Sequence, residues 1–396
     1  MADAVLPQDV FVGQDFYAPG LRVVIGGKEL RQIETDVVSV SYTDKNNEID
    51  SVELTVNNWD PDGRGPGRGW WKYSDANTLD PWQDVELWMG YYRAGNDELR
   101  RMMVGELVRL TPSFTAGGPA TLTVRGLGIL NRFRTSQISK DYFQKKDSWI
   151  FRDIVQTVAQ QTRQSIANLD LVVDDEEIGR TMGNETEIKH LTIKQEYAIN
   201  FLFERSRAIR YELAVDVSQV QPGGRRTVTL HYRPANAVLR PTYILEWGKS
   251  LVSFQPSFAT SNQVSEVIVR CWNREQKKKF EGSATLADLQ AEGVIDPAAD
   301  LKANAGPQSK RTEIVTDQVV QSDADATQLA KSRLRVIAQS LVSGKGRTIG
   351  LPDLRQGTKL QMKGLGRFDG FYVVEQTTHT IGDGGYTTDF TARMEK

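Results

Sequence analysis

The densest cluster of ionisable side chains in the sequence is the run of four carboxylates, "DDEE", from Asp174 to Glu177. Carboxylates can bind a metal ion or perform general acid–base chemistry when their oxygens converge on one point. Consecutive side chains of an extended segment point to opposite faces, so these carboxylates do not converge by themselves. The run therefore predicts a solvated turn and not a catalytic or metal-binding site.

The remaining metal-binding side chains are three histidines and one cysteine, namely His190, His231, His379 and Cys271. None of them stands at the short spacing of a metal-ligand motif. The sequence also lacks the Gly-x-Ser-x-Gly motif of a hydrolase nucleophile, and "GLGRFDG" lacks the Lys-Ser/Thr pair of a phosphate loop. We therefore expect no catalytic, cofactor-binding or metal-binding residue, and no enzyme.

The segment Gly63–Trp71, "GRGPGRGWW", is flexible in composition, basic, and ends in two adjacent tryptophans. Trp and Arg side chains dominate the energetic centres of protein interfaces, so this segment is a possible contact loop for a partner protein. The candidate contact residues are Arg64, Arg68, Trp70 and Trp71. Two alternatives stay open. The tryptophans pack back onto their own domain, since exposed aromatic pairs are unfavourable, or they form a sugar-stacking platform with Trp82 and Trp88.

The elements that must position these residues change along the chain. Residues 1–130 consist of short strand-like segments with alternating polarity, separated by turn signals, which predicts a first β-barrel. Residues 131–240 predict a small α/β domain, with helices at Trp149–Thr162 and Lys194–Ile209.

The β pattern returns in residues 241–276 and 345–396, which predict a second, interrupted β-barrel. The interruption, residues 277–344, is predicted to be an insertion of loop and helix. Its Ala-, Gly- and charge-rich part, Gly282–Lys310, is expected to be flexible. A helix follows at Asp323–Leu341, with Ser322 as its N-cap.

The octapeptide "ELTVNNWD" at Glu53–Asp60 is echoed by "EVIVRCWN" at Glu266–Asn273. Four further matches occur in the same order: "VVSV" with "LVSF", "VELWMG" with "KLQMKG", "VGELVRLT" with "VVEQTTHT", and "GGPATLTVR" with "GGYTTDFTAR". Together they predict that one β-domain occurs twice in the chain, with Trp59 and Trp272 at equivalent structural positions. Chance similarity between alternating strands is the alternative. Three such chains would present six similar β-domains, so a threefold ring could imitate a sixfold one.

The composition excludes several classes of protein. The chain carries 49 Lys and Arg residues against 51 Asp and Glu residues, which argues against a general nucleic-acid binder. The single cysteine fits a reducing compartment, and the N-terminus does not resemble a secretory signal. No apolar run approaches the ~20 residues of a membrane span. We therefore expect synthesis and assembly in the cytoplasm.

The C-terminal run resembles the late control D family, the baseplate hubs of contractile tails, and is similar to the N-terminal hub region of valine-glycine repeat G spikes. The resemblance rests on a helix, "DADATQLAKSRLRV", and on the patterns "F-x-G-x-Y-x-V" and "G-Y-x-T-x-F" with a His between them. The matching positions are Phe368, Gly370, Tyr372, Val374, His379, Gly385, Tyr386, Thr388 and Phe390.

The resemblance implies a structural hub in a phage tail or a related injection particle. Such a hub is a homotrimer with pseudo-sixfold symmetry that joins a trimeric spike protein to the hexameric inner-tube protein and contacts other baseplate proteins. The chain ends at Lys396 without a repetitive β-helix, so we expect the spike to be a separate protein. No cofactor is implied, and passage of nucleic acid stays open. The alternative functions are a tail-associated cell-wall hydrolase and a glycan-binding module.

Overall fold

The computed structural model of the chain describes residues 8–10, 16, 18–60, 70–74, 79–92, 98–134, 137–165, 169–217, 226–234, 241–259, 263–273, 277–291, 311–316, 320 and 322–395. The chain divides into two compact units. Unit 1 comprises Met1–Thr242, Arg347–Thr358 and Val374–Phe390. Unit 2 comprises Tyr243–Gly346, Lys359–Val373 and Thr391–Lys396. Within the described residues, no helix is both long and apolar enough to cross a membrane.

The first β-region lies in unit 1 and begins the chain. Its strands are β1 (Gln8–Asp9), β2 (Pro19–Ile25), β3 (Lys28–Glu29), β4 (Val37–Lys45), β5 (Ser51–Asn57), β6 (Trp59–Asp60), β7 (Trp70–Trp71), β8 (Asp84–Tyr91), β9 (Glu98–Ser113) and β10 (Thr121–Gly128). Helix α1 (Arg31–Asp36) precedes β4, and a 3-10 helix (Ile129–Arg134) follows β10. The main sheet of this region has the strand order β4-β5-β10-β9-β8-β2-β3.

Alternation of apolar and polar residues explains why these strands form and which face they bury. In β5 the side chains of Val52, Leu54 and Val56 are buried, whereas the residues between them are partly or fully exposed. Strand β10 pairs with β5 in antiparallel register, with Val124 opposite Leu54. These residues belong to one apolar core of unit 1, so the period of two residues predicted from the sequence is confirmed here.

The α/β region, also in unit 1, follows the 3-10 helix. Its elements are β11 (Gln137–Lys145), α2 (Asp147–Ser165), β12 (Leu169–Val173), α3 (Asp175–Gly183), β13 (Ile188–Tyr197), α4 (Ala198–Ile209), β14 (Tyr211–Val217) and β15 (Arg226–Pro234). Both predicted helices are present, but α4 begins only at Ala198. The four residues before it stay extended because β13 pairs with β11 as far as Tyr197, which lies opposite Gln137.

The second half of the chain contains β16 (Pro241–Glu246), β17 (Leu251–Phe258), β18 (Glu266–Asn273), β19 (Lys278–Thr285), α5 (Leu286–Ala291), β20 (Thr312–Val315), α6 (Asp323–Gln339), β21 (Val342–Ile349), β22 (Lys359–Lys363), a 3-10 helix (Gly366–Phe368), β23 (Gly370–Gly382) and β24 (Gly385–Glu395). Strands β17, β21, β24, β23, β22 and β16 are neighbours in that order. Within unit 1, Gln376–Ile381 of β23 also pairs with Val40–Lys45 of β4 in antiparallel register. The chain as a whole is mainly β.

A separate three-stranded sheet in unit 2, with the order β19-β18-β20, corrects the prediction for Glu266–Asn273. That segment is β18 and belongs to this small sheet, whereas its sequence echo, β5, lies in the main sheet. The two strands differ because β18 packs its apolar face on helix α6, in a core with Ala326, Ala330 and Leu334. Trp272 is 62% exposed, whereas Trp59 is half-buried.

The predicted insertion is more ordered than its composition indicates. Gly282 lies in β19, where a Cβ atom would approach the backbone nitrogen of Thr327 to 2.3 Å. The part of the predicted flexible segment from Gly282 to Ala291 therefore forms a strand and a helix, and residues 292–310 lie outside the described part. The N-cap prediction is confirmed, since the Ser322 hydroxyl accepts a hydrogen bond from the Asp325 backbone N–H at 3.0 Å.

Candidate interaction site

The predicted contact loop returns to the first β-region at Trp70–Ser74, and Asn58 holds this return in place. The Asn58 side chain is fully buried. Its carbonyl oxygen accepts hydrogen bonds from the backbone N–H groups of Tyr73 (3.0 Å) and Ser74 (3.2 Å), and its amide nitrogen donates to the Ser74 hydroxyl (2.6 Å). Its backbone oxygen accepts from the Lys72 N–H at 2.9 Å. One buried amide thus fixes the base of the loop.

Asp36 provides a second attachment for the same segment. Its carboxylate accepts hydrogen bonds from Lys72 Nζ at 2.9 Å and 3.0 Å and from the Tyr73 hydroxyl at 2.8 Å. Burial, together with the hydrogen bond to Asp36 and its charge, raises the pKa of Tyr73 well above its usual value. Tyr73 therefore stays a neutral hydrogen-bond donor at physiological pH.

Three aromatic rings lie directly above this base. Trp59 pairs with Trp71 in the small sheet of β6 and β7, and their rings meet edge to face with centroids 4.9 Å apart. The Trp71 ring makes a similar contact with Phe114, with centroids 4.6 Å apart. Edge-to-face pairs of this kind add ~0.5–1.5 kcal/mol beyond the area that they bury. Phe114 is 57% exposed, so the cluster Trp59–Trp71–Phe114 has one open edge.

The structure describes only part of the predicted contact set. Trp71 packs back onto its own β-region, as one of the alternatives predicts, and the backbone of Trp70 pairs with Asp60. The side chain of Trp70, together with Arg64 and Arg68, lies outside the described residues.

The predicted sugar-stacking platform loses one of its four tryptophans. Trp88 is 4% exposed and packs under the guanidinium of Arg101, which lies 4.6 Å from the ring centroid and pairs with Glu86. By contrast, Trp82 is 79% exposed. Trp88 is therefore a core residue of the first β-region and cannot present its face to a sugar.

The carboxylate run from Asp174 begins helix α3 and is not a solvated turn, which corrects the prediction. Asp174 is the N-cap and accepts a hydrogen bond from the Glu177 backbone N–H at 2.9 Å. One helical turn brings Glu177 beside His231 of β15, whose Nδ1 lies 3.1 Å from the Glu177 carboxylate. Ligand atoms of Asp174, Glu177 and His231 all lie within 4.8 Å of one another.

The charges around Glu177 favour an ion-pair network over a bound cation. Arg233 Nη1 lies 3.3 Å from the Glu177 carboxylate, and Arg233 Nε pairs with Glu212 at 2.5 Å. Burial raises the pKa of Glu177, but His231 and Arg233 outweigh that effect and hold its pKa below the usual value. The hydrogen bond to Glu177 raises the pKa of His231. A metal ion here would have to displace a guanidinium that already neutralises the carboxylate.

A second polar network lies inside unit 1, where β4 meets the segment Leu351–Thr358. Arg355 Nε donates to Asp44 at 2.8 Å, and Arg355 Nη2 donates to the Tyr42 hydroxyl at 2.5 Å. The Tyr42 hydroxyl in turn donates to Asp50 at 2.9 Å. Tyr42, Asp44 and Asp50 are all buried, so this network holds the fold together and offers no surface to a substrate.

His379 is the neighbour of this network and occupies a fully buried position. Its Nε2 faces the backbone oxygen of Leu354 at 3.0 Å, and its Nδ1 faces the hydroxyls of Tyr386 (3.0 Å) and Thr388 (3.1 Å). Burial, and secondarily the charge of Arg355, lowers the pKa of His379 to about 3. A neutral His379 that donates from Nε2 and accepts at Nδ1 satisfies all of these groups, which is a structural role.

Solved structures of phage tail proteins share this fold. The 43 kDa tail protein of prophage MuSo2 from Shewanella oneidensis matches with a TM-score of 0.64 at 11% identity, covering 95% of this chain and 98% of that one. A tail protein from Neisseria meningitidis MC58 matches with a TM-score of 0.62 at 14% identity, covering 95% and 97%. The expected likeness to tail proteins is therefore confirmed at the level of the fold.

A chain of a Francisella complex shares the fold over a shorter part of its own length. The Francisella PdpA–VgrG complex gives a TM-score of 0.55 at 10% identity and covers 97% of this chain but 59% of the matched chain. No curated protein matches the sequence.

Among protein families, the Alg8 N-terminal domain matches residues 184–383. The C-terminal motifs predict a different family, the late control D family. Membership of the late control D family therefore stays a prediction. The matched segment runs from the end of helix α3 to the turn after β23 and spans just over half of the 396 residues. The chain belongs to the family described as the Alg8 N-terminal domain.

Proposed function

We propose that the chain is a non-enzymatic baseplate hub of a contractile injection machine, either a phage tail or a related particle. In this proposal it is a homotrimer with two tube-type β-barrels per chain, and its pseudo-sixfold ring joins a trimeric spike to the hexameric inner tube. The common fold with tail proteins of Shewanella and Neisseria supports a role in a tail. The common fold with the PdpA–VgrG complex supports a partner of the spike kind.

The observation that carries this proposal is the order of the strands in the two β-regions. In the first region the strands are neighbours in the order β4-β5-β10-β9-β8-β2, and in the second in the order β17-β21-β24-β23-β22-β16. If the six strands of each region are counted from first to last along the chain, the two spatial orders are identical. Four of the five sequence matches agree with this correspondence: β4 with β17, β8 with β22, β9 with β23, and β10 with β24. Agreement between strand order and sequence order favours duplication over chance.

The fifth match, the echo of β5 in β18, does not fit the correspondence. The strand that takes the place of β5 in the second region is β21, because β21 lies between β17 and β24 as β5 lies between β4 and β10. The insertion with β18, β19, β20, α5 and α6 therefore falls between the second and third strands of the copy. The echo of β5 in β18 predicts the insertion one strand later, between the third and fourth strands of the copy.

The aromatic cluster supports a role for the loop in contacts with other baseplate proteins. Asn58 and Asp36 fix the segment after the loop, and Trp71 is held between Trp59 and Phe114. An aromatic group held in this way loses little conformational freedom when a partner binds beside it, which favours affinity. Arg64, Arg68 and Trp70 remain the proposed contact residues.

The test is the number and symmetry of the copies in an assembled particle. Native mass measurement should find three copies, and averaged images of the ring should show six similar lobes with true threefold symmetry. One or six copies would contradict the adapter role. A wall-turnover assay and a glycan array, each run with the intact chain, examine the hydrolase and glycan-binding alternatives, and activity in either would favour that alternative.

A further inference from the structure

Strand β17 lies at the edge of its sheet and carries no charged side chain. Among the described strands it pairs with β21 alone. Its eight residues, Leu251–Phe258, include no charged side chain, and Val252 is 59% exposed. Exposed strand edges that carry no charge tend to pair with another chain, and proteins normally prevent this with charged side chains, prolines, bulges or a covering element. Of these devices, β17 itself contains one proline, Pro256. Apart from Pro256, the composition of β17 is therefore that of a strand which is covered in the assembled protein.

A second open edge lies at the end of β9. Strand β8 pairs with β9 only as far as Glu106, which lies opposite Asp84, while β10 continues along the other side of β9 to Ser113. Leu107 still exchanges backbone hydrogen bonds with Gln83 and Trp82. From Val108 to Ser113, one edge of β9 has no partner strand within the described part of the chain.

The pairing of β23 with β4 inside unit 1 provides a template for joining these two edges. Gln376–Ile381 of β23 pairs with Val40–Lys45 of β4. In the strand correspondence, β23 is the counterpart of β9, and β4 is the counterpart of β17. The edges of β23 and β4 thus pair with each other within one chain. The corresponding edges of their counterparts, β9 and β17, have no partner strand within the described part of the chain.

The geometry points to an antiparallel ladder in which Val108–Ser113 of one subunit pairs with Ser253–Phe258 of β17 in a second copy of this chain. This inference rests on the proposed homotrimer and deepens it, because it names the strands that close the ring. Three such ladders between chains would alternate with the three β23–β4 ladders within chains.

Sequence matching fixes the register of the proposed ladder. The matches of "VGELVRLT" with "VVEQTTHT" and of "VVSV" with "LVSF" place Arg109 at the position of Thr378 and Ser257 at that of Thr43. Thr43 and Thr378 lie opposite each other, with hydroxyl oxygens 3.3 Å apart, and both are half-buried. Arg109 and Ser257 are exposed. This is expected if they occupy the positions of Thr378 and Thr43 in a ladder whose second strand is absent from the single chain.

The proposed ladder should be weaker than its template. It places Pro112 and Pro256 opposite Phe254 and Leu110, and a proline has no N–H to donate. The template carries no proline between Val40 and Lys45 or between Gln376 and Ile381. A ladder with fewer hydrogen bonds forms at high concentration or around a partner and dissociates on dilution, so assembly would be concentration-dependent.

Disulfide cross-linking of the purified full-length chain tests the register directly. In a Cys271→Ser background, which removes the single native cysteine, the variant Arg109→Cys/Ser257→Cys is oxidised over a range of concentrations. We expect covalent dimers and trimers on a non-reducing gel at high concentration. A mixture of the two single-cysteine chains should yield dimers and nothing larger.

Two matched variants serve as controls. Thr43→Cys/Thr378→Cys should form its disulfide within one chain and so test the geometry of the template. Arg109→Cys/Ser253→Cys moves one cysteine by four residues, or ~13 Å, beyond the ~7 Å separation of Cα atoms that a disulfide spans, and should give no band.

The outcomes separate this inference from the proposed function. A trimer by native mass without the Arg109–Ser257 cross-link would overturn the strand ladder but keep the homotrimer. Cross-linked species of more than three chains would contradict the homotrimer but would support the strand pairing. A chain that stays monomeric and uncross-linked at every concentration, or one that cross-links through Ser253, overturns the ladder as drawn.

Discussion

The Arg355 guanidinium and the Asp44 carboxylate, 311 positions apart in the sequence, meet at 2.8 Å in the interior of unit 1. Asp44 is 2% exposed, so this ion pair is almost completely shielded from water on the carboxylate side. Arg355 also packs its guanidinium on the Tyr42 ring, 4.9 Å from the centroid. One side chain thus attaches the segment Leu351–Thr358 to β4 through charge, hydrogen bonds and an aromatic face.

Replacing Arg355 should strongly destabilise unit 1. Arg355→Met leaves the Asp44 carboxylate buried without its partner, a change that typically costs ~3–5 kcal/mol of unfolding free energy. Urea unfolding measures the loss. The matched control is Arg347→Met, which breaks the pair with Asp389 at 2.7 Å, where both side chains are largely exposed. An exposed pair contributes less than ~1 kcal/mol. Equal losses for the two variants would contradict the structural role of Arg355.

Asp50 and His379 should give opposing pH dependences of stability. Burial, and then the charge of Asp44, raises the pKa of Asp50 to about 7, above its usual 3.8. Folding therefore favours the protonated acid, and the stability from Asp50 is lost as the pH rises from ~4 through 7. Burial lowers the pKa of His379 to about 3 from its usual 6.5, so its contribution is lost as the pH falls from ~6.5 towards 3.

Single substitutions should expose each slope. Asp50→Asn removes the first effect, and we expect its unfolding free energy to decrease steadily on acidification below pH ~6.5. His379→Gln removes the second, and its unfolding free energy should decrease as the pH rises from ~4 to 7. The unsubstituted chain should show a flatter profile than either. Parallel profiles for all three proteins would show that neither group titrates with a shifted pKa.

Local signals predict helices α2, α4 and α6, whereas contacts between distant residues leave no trace in the sequence. Helix α6 has apolar residues at helical spacing and a serine N-cap, and each of these features acts within a few residues. The pairing of Arg355 with Asp44 joins segments that only the folded sheet brings together. Nothing in the composition of the segment from Lys72 to Ser74 shows that it attaches to Asn58, which is an ordinary loop residue by type.

Two of the differences between the sequence predictions and the structure have clear physical causes. Strand β18 shares the alternating pattern of β5 because any strand with one buried face has it, so the pattern could not distinguish the main sheet from the small sheet on α6. The alternation of side chains in an extended segment predicts a solvated turn for the carboxylates after Val173, but Asp174 is a favoured N-cap residue and three acidic residues suit the first turn of a helix. That capping signal could have predicted α3.

Gly282 should tolerate no side chain, because the atoms it would meet are backbone. A Cβ atom there would lie 2.3 Å from the Thr327 nitrogen and 2.6 Å from the Ala326 carbonyl carbon, both in α6. Gly282→Ala should separate β19 from α6 and cost ~1–3 kcal/mol in thermal unfolding of unit 2.

The control for this substitution is Gly179→Ala in α3, where a Cβ atom would meet nothing within 4 Å. Alanine is favoured over glycine inside a helix by ~0.5–1 kcal/mol, so this variant should be more stable than the parent chain. If Gly282→Ala were also neutral or stabilising, the close approach of β19 to α6 would be contradicted.

The two tryptophans of the sequence echo should differ in their effect on stability. Trp59 packs on Trp71 at the end of the first β-region, and Trp71 in turn packs on Phe114. Truncation to alanine removes an aromatic contact and leaves a gap beside Trp71, so Trp59→Ala should cost ~2–3 kcal/mol, less than the ~3–5 kcal/mol of a fully buried ring. Trp272 is 62% exposed on β18, and Trp272→Ala should change stability by no more than ~0.5 kcal/mol.

Chemical unfolding of both variants measures the difference, and Trp59→Phe, which keeps an aromatic ring against Trp71, should recover part of the loss. Equal costs at the two positions would contradict the difference in burial between the Trp59 and Trp272 rings.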